Sequence, residues 1–410
     1  MRRLGGLLEQ LVISHADTLR APPTSSIVQK DERGPAGRGD VRGRGPGWDG
    51  GMFVALKDIV HAKGRFTLMI GVIALLTLLL VLLTGLTRGL AHQNISAIEA
   101  LPADRIVLTP TLGEEISWSD SQVDTDQAAA WEGTAGLETE ALSVGQMRIE
   151  TDSAVTSLAL FGTAPDGEVA ASLPSAPQEG EVLLPEQIAA DLGVASGDTV
   201  SVNGRELTVI GTIPTDWYSH SPVGYVHLDS FRTLAHQAED TAGSALLVRA
   251  DGDAFDAAAD AVAEATGTRA VTVSESLQAL PSYSSENGSL TLIQAFLYGI
   301  SALVTVAFLS VWTIQRTRDI AVLRALGATA GYVLRDTVGQ AAILLAVGAV
   351  VGGIVGGAGG AALSAVAPFE ASAVTVLLPV AGVLGIGLFG SVLATRRVTR
   401  IDPLLALGGN

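Results

Sequence analysis

Hydrophobic positions along the chain follow two unlike patterns. Four long stretches carry no formal charge at all: Phe66 to Thr87 (22 residues), Asn287 to Gln315 (29), Thr337 to Phe369 (33) and Ala371 to Thr395 (25). Each exceeds the ~20 apolar residues that a membrane-spanning helix needs. They predict transmembrane helices over 66–90, 290–314, 337–366 and 373–395. Between the first and second of them, over 91–289, the apolar runs are short and broken by Gly, Pro, Asn and Asp, the signature of a folded mixed domain.

Within that inserted segment, Arg105-Ile-Val-Leu-Thr and Thr156-Ser-Leu-Ala-Leu-Phe read as strands, and Ser121 to Glu132 as a short helix. Glu181-Val-Leu-Leu leads into a helix over Pro185 to Leu192, and Thr199 to Val202, Asn203-Gly204 and Glu206 to Gly211 make a strand, a tight turn and a second strand. Ala245 to Arg249, a helix over Asp253 to Thr266 and Arg269 to Val273 form a β-α-β unit. The expected fold is an α-helical membrane protein with four transmembrane helices and an inserted α/β extracytoplasmic domain between helices 1 and 2. Two small lobes are expected in it, one of them ferredoxin-like.

Three further segments complete the division. Residues 1–51 are rich in Arg, Gly and Pro without apolar period, and such a stretch buries too little surface to offset its ordering entropy; it is a disordered or artefactual N-terminal extension. Over 52–65, Phe53, Leu56, Ile59 and Val60 share a helical face, with Lys57, Asp58, His61 and Lys63 elsewhere, which suits a helix lying in the membrane interface. Residues 315–336 join the second and third spans, and 396–410 form a tail. In the joining segment Ile320, Leu323 and Leu326 repeat along one side of a helix while Arg316, Arg318, Asp319 and Arg324 lie mostly elsewhere, and Gly327 supplies a stop. A plain connecting loop rarely carries an apolar stripe beside its charges.

Composition sharpens the membrane reading: 48% of residues are hydrophobic, 16% are charged and mean hydropathy is +0.40. The net charge of −17 excludes a nucleic-acid partner, which requires a basic face to displace counterions. The acid is concentrated in the inserted segment, where 31 Asp and Glu stand against six Arg and no Lys. Basic residues lie elsewhere: Lys57, Lys63 and Arg65, then Arg316, Arg318, Arg324 and Arg335, then Arg396, Arg397 and Arg400 all fall on one side of a four-span topology. The positive-inside bias makes that side cytoplasmic, so both termini lie inside a plasma membrane protein.

Candidate chemistry is sparse. There is no cysteine, which removes disulfides and zinc thiolates. The three lysines, Lys30, Lys57 and Lys63, are followed by Asp, Asp and Gly, so no phosphate-binding loop exists and the chain is not itself an ATPase of that kind. His220, His227 and His236 with Asp216 and Asp229 have no metal-ligand spacing and read as solvated loop residues; no catalytic, cofactor or metal site is expected. Trp217-Tyr218 between Pro214 and Pro222 is either an exposed contact tip or lobe packing. The third span carries Gly348, Gly352, Gly356 and Gly360, a seam that lets another helix approach closely in lipid, either within the subunit or across a dimer.

The segment Gln315 to Ala328 closely resembles the loop between the second and third membrane helices of the FtsX/MacB-like permeases of ABC transporters. The run from Glu181 to Val202 with Leu207 to Ile213 is similar to that family's extracytoplasmic domain, and Arg396-Arg397-Val-Thr-Arg-Ile-Asp402-Pro403-Leu-Leu-Ala-Leu407 to its C-terminal end. The resemblance covers about Met52 to Leu407. It implies a non-catalytic permease subunit, forming a homodimer, whose partner is a separate cytoplasmic ABC ATPase. That ATPase pushes the coupling residues Arg316, Arg318, Asp319, Ile320, Leu323, Arg324, Leu326 and Gly327 and so moves the outer domain mechanically. The alternative within the same resemblance is an FtsX-like regulator that activates a cell-wall hydrolase outside, an extracytoplasmic partner protein.

Overall fold

A computed structural model of the chain describes residues 63–111, 115–250, 255–315, 322, 327 and 329–398. In chain order its principal elements are α1 (Lys63–Glu99), β1 (Arg105–Leu108), β2 (Val123–Asp124), α2 (Thr125–Glu132), β3 (Leu137–Glu150), β4 (Val155–Thr163), β5 (Glu181–Pro185), α3 (Glu186–Leu192), β6 (Thr199–Val202), β7 (Arg205–Ile213), β8 (Trp217–Tyr218), β9 (Ser221–His227), α4 (Leu228–Ala235), β10 (Thr241–Gly243), β11 (Ala245–Ala250), α5 (Phe255–Thr266), β12 (Arg269–Thr272), α6 (Pro281–Gln315), α7 (Ala330–Leu363) and α8 (Ala373–Val398). The N-terminal extension, most of the interfacial helix and the end of the tail lie outside the described residues.

Helices α1, α6, α7 and α8 are long and apolar enough to cross a membrane. They turn large side chains outward, among them Phe296, Leu303, Ile354 and Phe389, as expected where lipid is as apolar as the side chains themselves. In α1 three hydroxyls are satisfied within the helix: Thr77, Thr84 and Thr87 donate to the carbonyls of Ile73, Leu80 and Leu83 at 2.9, 2.7 and 2.8 Å, which removes the cost of a bare polar group in hydrocarbon. α1 has 37 residues, about 55 Å at 1.5 Å per residue, whereas the hydrocarbon core is about 30 Å thick. Its last turns therefore stand in the outer domain, where Ile95, Ala97 and Ile98 are buried.

The inserted domain is built on a ten-stranded sheet bent into two lobes, with β2 and β10 forming a separate two-stranded sheet. Strands β12-β1-β11-β3 pair antiparallel in that order, with α2 and α5 supplied by the two crossovers. This is the ferredoxin-like arrangement, and Trp131, Ala128 and Ala259 of the helices pack on Val107, Leu246 and Val248 of the sheet. The second lobe is inserted between β3 and β11. Its order β3-β4-β9-β5-β7-β6 closes because β6 pairs back onto β3 through Ile149↔Val202 and Glu150↔Ser201, giving a six-stranded ring filled by Leu158, Leu160, Val182, Leu184, Val202 and Val209. β3 belongs to both lobes: its first half pairs with β11 and its second with β4. On the far side of β4, Phe161 joins Tyr218, Tyr225 and Trp118 in an edge-to-face aromatic cluster that shares its core with Ile95 and Ile98 of α1.

Candidate functional site

The segment between α6 and α7 is bounded by Gln315 and by Thr329, whose hydroxyl caps α7 by accepting from Tyr332 N–H at 3.2 Å. Arg316, Arg318, Asp319, Ile320, Leu323, Arg324 and Leu326 lie outside the described residues. Val322 is exposed, and Gly327 has φ of 100°, a left-handed conformation that ends a helix cheaply only at glycine. The inner ends of α6 and α7 therefore lead directly into this segment.

Five glycines of α7 face two neighbours. A Cβ at Gly348 would meet Ile73 at 2.8 Å and one at Gly356 would meet Val81 at 3.0 Å, while one at Gly352 would run into the Ala74 carbonyl oxygen; all three contacts are with α1. Gly353 and Gly357 instead lie against Val380 and Val376 of α8. Gly360 is covered by the ring of Phe369, which also fills the space above Gly85 of α1. The short loop carrying Phe369 is tied down by the Glu370 N–H donating to Gly85 O at 3.1 Å and by an Arg88–Glu370 ion pair at 3.6 Å. The absent side chains thus let α1, α7 and α8 come together as one block within the subunit.

At the outer ends of α1 and α6 stands a polar junction that sequence reading did not single out. The two-residue turn between β8 and β9, Ser219-His220, sits on α1: the Ser219 and His220 N–H groups donate to the carbonyls of Asn94 and Gln93 at 3.0 and 2.8 Å, and Trp217 N–H donates to Ser96 Oγ at 2.8 Å. From α6, Glu286 accepts from Asn94 Nδ2 at 3.1 Å and approaches His220 Nε2 at 3.1 and 3.2 Å. Ser282 Oγ donates to Asn94 Oδ1 at 2.8 Å and lies 3.0 Å from Ser219 Oγ. Asn94 Nδ2 also lies 3.1 Å from His220 Nε2. Asn94 is 1% exposed; its amide spends its hydrogens on Leu90 O and Glu286. His220 is thus a loop residue bound to two helices, and Trp217-Tyr218 is lobe packing against α1 and the aromatic cluster.

The other histidines have local duties. Glu179, His227 and Asp229 bring ligand atoms within 4.8 Å of one another. However, His227 Nδ1 already accepts the Asp229 N–H at 3.1 Å, and Arg232 holds Asp229 Oδ1 at 2.7 Å. These groups are spent on the first turn of α4. His236 ends that helix in a left-handed conformation. Two carboxyls in the domain are displaced from their ordinary behaviour, Glu275 downward through hydrogen bonds from the Thr272 N–H and hydroxyl and Glu140 upward. Burial pushes the Glu140 carboxyl up, partly offset by the Val169 and Glu168 N–H groups and the Arg249 charge, and its Oε1 is buried with no hydrogen-bond partner.

Comparison with known proteins follows the same division of the chain. Residues 66–265 match the MacB-like periplasmic core domain and residues 291–403 the FtsX-like permease C-terminal domain. A Staphylococcus haemolyticus protein named as the hemin transport system permease HrtB is 27% identical over 370 residues, covering 87% of this chain and 99% of its own. An uncharacterized ABC transporter permease of Mycobacterium tuberculosis is 26% identical over 374 residues with the same coverage. The periplasmic region of MacB from Actinobacillus actinomycetemcomitans aligns at a TM-score of 0.34 and 13% identity over 45% of this chain and 95% of that one.

Proposed function

With a MacB-like core domain between its first two spans and an FtsX-like permease domain over the last three, this chain belongs to the ABC transporter permeases of the FtsX/MacB type, and we propose that it converts the work of a separate ATPase into movement of its outer domain. The observation that carries this reading is continuity. α1 and α6 each run unbroken from the bilayer into the outer domain, and α6 runs at its inner end into the amphipathic segment 316–328. A push on that segment tilts α6 against the block of α1, α7 and α8, and the outer ends of the helices carry the displacement into the two lobes. No substrate has to pass through the bundle for such motion to do work on it.

In this reading the functional unit is two copies of the chain with two ATPase subunits on the cytoplasmic side. Ile320, Leu323 and Leu326 dock on the ATPase, and Arg316, Arg318 and Arg324 meet its carboxylates. The name of the staphylococcal relative favours export or extraction over regulation of a cell-wall hydrolase and makes hemin the first substrate to test. Leu323→Asp places a carboxylate on the apolar face, where burying it unpaired costs several kcal/mol, and Arg324→Glu reverses a charge on the other. Either change is expected to leave the protein inserted with its outer domain folded, while the partner ATPase binds weakly or loses its stimulation. Wild-type ATPase stimulation by both variants, per unit of protein in the membrane, would remove the coupling role.

A further inference from the structure

The β8–β9 turn is bent against its sequence. Ser219 and His220, neither of them glycine, hold φ of 48° and 64°, a conformation that two-residue hairpin turns ordinarily give to Asn and Gly. Such strain persists only where the surroundings impose it. Here the surroundings are α1 on one side and α6 on the other, and the two attachments differ in kind. Toward α1 the turn gives its own backbone N–H groups to backbone carbonyls, next to Asn94 and Ser96, both buried. Toward α6 the attachment consists of side chains alone. His220 and Glu286, which form its centre, are 35% and 40% exposed, so water can replace their bonds at little cost. Glu286 is the charged group that meets the ring; Asn94 from α1, Ser219 from the turn and Ser282 from α6 are neutral.

We propose that the barrel lobe rides permanently on α1 through this turn, and that Glu286, with Ser282, is a releasable clasp closing α6 against it. Parting of α6 from the turn is then the step by which tilting of the membrane helices reaches the outer domain. The proposal rests on the reading of those helices as drivers, and it assigns positioning roles to Asn94, His220, Ser282 and Glu286. It separates two events that a rigid stalk would merge, since α6 moves while the lobe stays with α1. Gln294 of α6, which donates to Thr87 Oγ1 of α1 at 3.1 Å, lies below the clasp and marks where the two helices remain together.

The test uses the absence of native cysteine. In S219C/S282C, two thiols replace hydroxyls 3.0 Å apart and have no other thiol to pair with. The full chain is purified with the ATPase that accompanies it, and ATP turnover is measured after a mild oxidant and again after dithiothreitol. If release is required in each cycle, the oxidised pair loses about tenfold or more in turnover, as expected when an opening step gates a cycle, and the reductant restores it. Unchanged turnover in fully cross-linked protein, or failure of the pair to cross-link, overturns the proposal. A second measurement needs no ATPase: hydrogen exchange on the purified chain. Glu286→Ala should speed exchange over 281–290 while the amides of Ser219 and His220 stay protected on α1; equal loss of protection in both overturns it. A wild-type chain that brings no ATPase would defeat the coupling reading above, and the exchange result would still decide the clasp.

Discussion

One added methyl group tests the helix block most directly. In Gly352→Ala the new Cβ would overlap the Ala74 carbonyl oxygen and stand 2.8 Å from Thr77 Cβ. Neither can yield. The first is backbone, and Thr77 is β-branched, fully buried and bonded through its hydroxyl to Ile73 O at 2.9 Å. α7 must therefore move away from α1, which also loosens the contacts at Gly348 and Gly356. Overpacking of this kind costs about 1–3 kcal/mol. Gly359→Ala, in the same helix, adds a Cβ with nothing within 4 Å and gains up to about 1 kcal/mol of helix propensity. Both substitutions gain that propensity, so the two variants should differ by the overpacking cost alone, about 1–3 kcal/mol, and at roughly 2–4 °C per kcal/mol for a unit of this size that is about 2–12 °C in the midpoint of thermal unfolding. The assay is thermal unfolding of the full chain in detergent, each variant beside wild type. Equal midpoints for the two would show that α7 does not meet α1 through this seam.

Other outcomes follow from the same structure. Ser153→Cys, in the exposed turn between β3 and β4, should react with an impermeant maleimide in intact cells while Thr329→Cys should not; equal labelling would remove the four-span topology. Glu140→Gln should raise the unfolding midpoint at neutral pH. Its carboxyl is raised by burial, so the folded state holds the proton more tightly than the unfolded state and stability falls as pH rises through that raised value. The advantage of glutamine should therefore shrink as pH is lowered through the carboxylate range, and a gap independent of pH would point to some other cause.

The four spans were legible because an uncharged run of more than 20 residues has few other uses. Their ends were less so. Charge marked the first span as ending near Arg88, but α1 continues to Glu99, because the residues that follow bury Ile95 and Ile98 in protein rather than lipid. The Asn203-Gly204 turn was readable from its residue types, and both residues do have positive φ. Ser219-His220 adopts a similar bend with none of that signature, imposed by α1, which lies more than 100 positions earlier in sequence. Pro185 was placed inside the first turn of a helix, yet it ends β5 and caps α3. The helix expected from Ser121 begins at Thr125. Ser121 donates to Ser244 O at 2.7 Å and accepts from Thr109 N–H at 2.9 Å, and Asp124 provides the cap instead. Closure of the second lobe was out of reach, since nothing in the local pattern of β6 says that it pairs with the far end of β3. Residues 316–326 are the part of the site with the clearest pattern in sequence, and apart from Val322 they fall outside the described structure.

Insertion of the barrel between β3 and β11 also sets a timetable for biogenesis. β1 emerges directly after α1, but both of its neighbours come late: Arg105 pairs with Val248 and with Thr272. At about 5–20 residues per second of synthesis, the wait for the second partner is on the order of 10–30 s. Until β11 arrives, Ile106, Val107 and Leu108, all fully buried in the finished fold, belong to a strand with two open edges, the template on which chains join one another, and one edge stays open until β12 follows. The barrel has no such delay beyond its own length, because β3 through β9 are contiguous and α4 follows at once. The order of assembly is therefore barrel first and ferredoxin-like lobe last, with β12 closing the sheet just before α6 enters the bilayer. A nascent chain halted between β9 and β11 would present a finished barrel beside an unpaired β1, and one halted between β11 and β12 a β1 with one open edge; aggregation of such truncates should disappear once β12 is included.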